Sequence, residues 1–375
     1  MLTTWNATDG ASLHAEFLGR ELSKTNKLTV FAPTFESMSK DRHLLPLGSD
    51  DDFVIRGFEQ TWGSRGWVDE RLCEESYDVL LVEALDRMPI PTLGEMFPRI
   101  KAKKVQVVHE WALPDNPGYY ELDFDAIVCF DHRYKTMLLE RYAEQKIHII
   151  PYPCHSFATG NKERARDKLG LPRDALILFS FGRQPSFECD DYLWLANEFG
   201  GEHEFMYLVV RSDDPTDMEG VRERLQSGSR FCAVRFEKPS IDELYDYLHA
   251  ADVHLVPKAP SSNIVVSSTV FQCLDSGTPT VIPDTRYVEL LDKEVVKYRP
   301  NDRAHLKSQV SRLLSEESFR QATVTAATEY AQENSEQKIA EKFMDLFLSL
   351  YRKSALKEIG LSDSCTLRSR DKVWD

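Results

Sequence analysis

Long apolar runs are missing. None approaches the roughly 18 residues that a bilayer-spanning helix needs, so no membrane span is expected. The opening Met1-Leu2-Thr3-Thr4-Trp5 has neither the basic region nor the apolar core of a secretion signal and reads as a strand. Positive charge is outnumbered, with 46 Lys and Arg against 61 Asp and Glu and a net charge of −15. That balance argues against general nucleic-acid binding and against docking on anionic lipid, yet leaves room for a local basic pocket that holds a diphosphate. Paired cysteines are absent too. Cys73, Cys129, Cys154, Cys189, Cys232, Cys273 and Cys365 are dispersed, without a C-x-x-C pair. An odd, scattered set without a secretion signal predicts reduced thiols and a cytoplasmic protein. The histidines lack ligand spacing, so no metal site is expected. No paired carboxylates flank an obvious centre, which disfavours glycoside hydrolysis.

What is present is alternation. The 375 residues, 42% of them hydrophobic, suit two α/β domains of about 150 residues each with a tail. Apolar runs predict strands at Leu2–Trp5, Leu28–Ala32, Val79–Glu83, Val105–His109, Ala126–Cys129 and Ile147–Ile150. A second series runs through Leu176–Phe181, Phe205–Val210, Ala233–Phe236, Val253–Val256, Thr280–Ile282 and Val295–Tyr298. Helical spacing fills the gaps, including Ser12–Leu22, Val265–Leu274, Glu317–Tyr330 and Ser335–Tyr351. The acidic stretch Asp50–Tyr77, with Trp62 and Trp67, reads as an irregular insertion whose tryptophans either stack on a ligand ring or pin the loop to the core. Pro151-Tyr152-Pro153 makes a stiff crossing between the halves. The expected organisation is 1–150, 151–335, a closing helix at 336–353 and a disordered tail at 354–375.

The chemistry-bearing stretch runs from Asp252-Val253-His254-Leu255-Val256-Pro257 through the Lys258–Asn263 loop to a helix ending at Ser276-Gly277-Thr278-Pro279. Gly277 fits a helix C-cap, and Pro279 forbids further helix. Ser267, Ser268 and Thr269 stand where that helix begins. There they either cap it or join its free N–H groups in holding phosphate. His109-Glu110-Trp111 and Asp131-His132-Arg133 follow strand ends, where side chains of parallel sheets meet ligands. Asp9 and Gly10 follow the first strand, as a plain helix entry or as a backbone that a ligand approaches closely.

These pieces together resemble the GT-B retaining glycosyltransferases of family 4. The resemblance rests on the "SGTPTV" segment, the Pro151–Pro153 linker, Phe181-Gly182-Arg183, Asp9-Gly10-Ala11 and the closing helix. It implies two Rossmann-like domains around a cleft and transfer of a sugar from a nucleotide diphosphate sugar to an acceptor hydroxyl with retention. The diphosphate charge would be offset by side chains and helix ends, without a metal or other cofactor. By resemblance Arg183 would meet the diphosphate, Gln272 the ribose, Gly10 the donor, and His109 the reacting sugar. Glu110, Asp9 and Arg133 would serve the acceptor. Glu188 and Ile264 depart from the family's lysine and glutamate. Lys258 is expected to supply the missing cation, and Ser262 or Asn263 the missing sugar contact. Two other readings stay open: a binding or regulatory protein that lost catalysis, and a nucleotide-sugar epimerase.

Overall fold

The computed structural model describes residues 1–40, 48–156, 160–182, 189–200, 205–211 and 218–358. Strands β1 (Val30–Pro33), β2 (Val54–Phe58), β3 (Val79–Glu83), β4 (Lys103–Val107), β5 (Ala126–Cys129) and β6 (Ile147–Ile149) form the first half. All their pairings are parallel. The N-terminal segment lies between β1 and β3. Leu2 N–H donates to Leu81 O at 2.8 Å and Phe31 N–H to Met1 O at 2.8 Å, so the segment is laddered on both sides. Within the expected Leu2–Trp5 strand Leu2 alone is bridged, and the chain turns at Asn6 with φ +55°. Counting that segment, the spatial order is β2, β1, segment, β3, β4, β5, β6.

The second half repeats the plan. Strands β7 (Leu176–Phe181), β8 (Phe205–Arg211), β9 (Cys232–Phe236), β10 (Val253–Leu255), β11 (Thr280–Pro283) and β12 (Val296–Tyr298) lie in the order β12-β11-β10-β7-β8-β9. Each half is a doubly wound α/β sheet whose strand order reverses once, beside its first strand. One apolar cluster lies on each face of the second sheet, built around Leu178 and Val209 on one side and Ile177 and Leu208 on the other.

Three sequence expectations are corrected. The stretch 50–77 is not wholly irregular, because it supplies β2, which pairs with β1, and the short helix Arg71–Glu74. The helix expected over Val265–Leu274 is a single turn, Ser268–Phe271, followed by the 3₁₀ turn Leu274–Ser276 that ends at Gly277 with φ +74°. The last helix spans Glu336–Glu358, past the expected boundary at 353, and residues 359–375 of the tail lie outside the described residues.

The first core does not stop at the linker. It runs from Leu2 and Val82 through Tyr152 to Phe271, Leu274 and Ile282 of the second half, and to Ala331 and Phe343 of the closing helices. Tyr152 hydroxyl donates to Gly10 O at 2.7 Å, and its ring lies 5.8 Å from that of Phe271. The linker is thus the packed floor between the halves. The six cysteines among the described residues are free thiols, five of them buried. No described helix is long and apolar enough to cross a membrane.

Candidate active site

In doubly wound sheets ligands bind beyond the carboxyl ends of the strands, where the strand order reverses. In the first half that point lies between the N-terminal segment and β3. It gathers the Asn6–Gly10 loop, Glu83 at the end of β3, and His109 just past β4. In the second half it lies between β7 and β10, and gathers Gly182 with the loop after Leu255. Arg183 and Glu188 belong to the segment beside Gly182 and lie outside the described residues.

Glu83 is the hub of the first point. Its Oε2 lies 2.9 Å from His14 Nδ1 and 3.0 Å from His109 Nε2, and the Glu83 side chain is fully buried. Burial alone would raise its pKa, but the two imidazoles outweigh burial and hold it down to about 2. Burial keeps His109 below the usual imidazole range, against the pull of Glu83. With Nε2–H given to Glu83, the His109 Nδ1 carries the remaining lone pair. These three side chains offer ligand atoms all within 4.8 Å of one another, which is the one metal-capable group among the described residues. Histidine spacing along the chain did not foretell it, because its members come from a helix and two strand ends. A carboxylate closing the otherwise apolar Val79–Glu83 was the available signal.

Glu110 sits behind His109, buried. Its carboxyl accepts from Asp86 N–H at 3.2 Å and His109 N–H at 2.9 Å. Burial, then the neighbouring Asp86, push it up to about 8. Asp9 caps the helix Gly10–Ser23 by accepting from Ala11 and Ser12 N–H, and pairs with Arg87 at 3.0 Å. The capping alternative for Asp9 is therefore the contact present.

The two points meet at Gly10. A Cβ added there would stand 3.1 Å from Ser268 Oγ, tight enough that the serine hydroxyl would have to give way by a few tenths of an ångström. Ser267 heads the turn Ser268–Phe271 without a side-chain cap bond, and its hydroxyl is buried with no partner. Thr269 follows on the same turn, and Gln272 ends it, with its carbonyl accepting from the Tyr245 hydroxyl at 2.8 Å. A single turn carries a weaker dipole than the long helix expected from the sequence.

Further along, Lys258 lies over the Tyr287 ring at 4.9 Å. The Ser262 carbonyl accepts from Arg286, and Asn263 N–H donates to Ser261 Oγ at 3.1 Å. Ile264 packs on the first core, and its N–H donates to Trp111 O at 3.1 Å. Arg133 crosses between the halves. It donates to Arg286 O at 2.6 Å, Val265 O at 3.4 Å and Glu289 at 3.0 Å, while Asp131 holds its other edge. Its guanidinium is thus committed to joining the halves. A hollow of about 540 Å³ opens beside these contacts, lined by Pro260, Ser261, Asp284, Thr285, Arg286, Glu289 and Lys297. Neither His109 nor Gly10 lines it. The structure brings together Asp9, Gly10 and Ser268, and separately Arg133 with the carbonyls of the Lys258–Val265 loop and its neighbour Arg286.

No family model matches the chain. A curated relative, D-inositol 3-phosphate glycosyltransferase 2 of Catenulispora acidiphila, is 31% identical over 139 residues, which is 33% of this chain and 31% of that protein. The match therefore spans about a third of that relative's length. Among solved structures, sucrose-phosphate synthase from Thermosynechococcus elongatus superposes with a TM-score of 0.64 at 14% identity, covering 91% of this chain and 93% of that one. Anabaena HepE in complex with UDP and glucose gives 0.64 at 12% identity over 93% and 98%. These likenesses run through both halves and the closing helices, and the chain accordingly has the GT-B fold of glycosyltransferases.

Proposed function

We propose that the chain transfers a sugar from a nucleotide diphosphate sugar to an acceptor hydroxyl, with retention of anomeric configuration and without a metal. One observation carries the reading: the two sheet-reversal points face each other, with Gly10 against Ser268. A diphosphate beside this contact would meet backbone N–H groups and the hydroxyls of Ser267, Ser268 and Thr269, with Arg183 and Lys258 as cations. His109, held by Glu83, would address the sugar from the first half. Aligning the acceptor and stabilising the leaving diphosphate would supply most of the rate. The curated relative is named as a glycosyltransferase, and the HepE complex holds UDP with glucose, which supports the donor class.

A thermal-shift screen against nucleotide sugars tests this. A ligand at 100 times its Kd stabilises by about 2.7 kcal/mol. A donor that raises Tm is then incubated with hydroxyl acceptors, and the anomeric proton of the product is read by NMR. No shift with any nucleotide sugar would sink the reading. A second reading, a binder without catalysis, is favoured by Ile264, whose side chain packs on the core instead of offering a polar group. A Tm shift without release of nucleoside diphosphate would select it.

A further inference from the structure

The geometry points to Trp62 as one wall of a subsite for an uncharged, polyhydroxylated ring, on the first half beside the glycine loop. This rests on the transferase reading, in which such a ring is the acceptor.

A tryptophan that pins a loop buries its ring. Trp62 does the opposite: the residue is 54% exposed although its backbone is tied down. Thr61 and Trp62 N–H both donate to Arg87 O, at 3.0 and 3.2 Å, and Gly63 N–H donates to Met88 O at 3.1 Å. The loop is therefore held by main-chain bonds, and the ring is presented. It is presented at a cost, since Trp62 has φ +52°, a left-handed backbone that bulky residues rarely adopt. Strain of this kind persists where the surroundings over-determine it, and it collects at ligand sites.

Position links the ring to the cleft. The Arg87 guanidinium lies 5.6 Å from the Trp62 ring and 3.0 Å from Asp9, the residue before Gly10. A facing loop carries a second exposed tryptophan, Trp111, and touches the first through Asn116, whose amide donates to Gly63 O at 3.4 Å. An aromatic face with polar groups at its edge suits a ring that has one apolar face and a rim of hydroxyls. Charge chooses between neutral and phosphorylated rings. Arg87, the cation beside the ring, is already paired with the Asp9 carboxylate at 3.0 Å, and the Glu83 carboxylate lies at the neighbouring strand end. A phosphate there would have to compete with Asp9 for Arg87.

The test is ring binding by saturation-transfer NMR on the full chain, with glucose, myo-inositol and glucose 6-phosphate, and with no nucleotide present. Wild type is expected to bind at least one neutral ring. Trp62→Ala should weaken that binding roughly tenfold and Trp62→Phe should restore most of it. Trp67→Ala, an exposed tryptophan on the same segment, serves as the control and should leave it unchanged. Absence of neutral-ring binding, equal loss in the Trp67 variant, or tighter binding of glucose 6-phosphate than of glucose each overturns the inference. Because no donor takes part, failure of the donor screen leaves this outcome readable by itself.

Discussion

Arg133→Ala should loosen the contact between the halves by a measurable amount. The side chain is 11% exposed and gives charged donors to two backbone carbonyls of the other half, plus the Glu289 carboxylate. Bonds from a charged group contribute about 1.5–3 kcal/mol each, but the 3.4 Å contact is long and water replaces part of what is lost. Glu289 is 49% exposed, so its pairing adds under about 1 kcal/mol. A total near 2 kcal/mol corresponds to about a 30-fold shift in the equilibrium between joined and parted halves. The Ile264 amide reports this directly, since it donates to Trp111 O across the same junction. Its hydrogen exchange should quicken about 30-fold in Arg133→Ala, and less than about fivefold in Glu289→Ala. Equal acceleration in the two variants would mean that the surface ion pair carries the junction. No acceleration in Arg133→Ala would mean that the apolar core alone does.

Glu110→Gln should flatten the alkaline side of the stability profile. Its folded pKa is raised to about 8 from the ordinary 4.5, so the folded chain keeps a proton that the unfolded chain has lost. That contribution is whole below about pH 4.5 and is lost as pH rises towards 8, at about 1.4 kcal/mol per unit. Urea titrations at about pH 6 and about pH 9 should show the wild type weakening and the variant holding; a parallel decline refutes the assignment. Gly10→Ala gains up to about 1 kcal/mol of helix propensity but presses on Ser268, an overpacking cost of about 1–3 kcal/mol between the halves. The Tm shift produced by a bound nucleotide sugar should shrink, and an undiminished shift would remove the close approach from the site. Trp62→Gly relieves about 1–2 kcal/mol of left-handed strain and adds about 0.5–1 kcal/mol of chain entropy. The protein should melt slightly higher while ring binding falls, and a lower Tm would contradict the strain.

The sequence disclosed the elements better than their companions. Val79–Glu83, Ala126–Cys129 and Leu176–Phe181 stand where their apolar periods place them. Strand β2 was hidden because its half-buried residues lie in an acidic stretch, and its pairing with β1 is a long-range fact. The helix after Ser267 is shorter than its apolar run suggests, because Gln272 ends it and Cys273, at φ −113°, starts the 3₁₀ turn Leu274–Ser276. Of the candidate site, the strand-end positions of His109 and Gly10 were legible from the alternation. The partners were not. His14 is separated from Glu83 by 69 residues, and Arg133 from Arg286 by 153, and no local pattern encodes such meetings.

The last helix has a consequence for how the chain acquires its shape. It leaves the second half, lays Phe343 into the first core, and near its C-terminal end the Tyr351 hydroxyl donates to Asp78 O at 2.6 Å, 273 residues earlier. The first half emerges earliest during synthesis, yet it waits for the final turns to cover its apolar surface. Contacts of such span are slow to form. In the interval the nascent first half exposes sticky surface, a natural client for a chaperone, and a ribosome stalled before residue 336 would release an aggregation-prone chain.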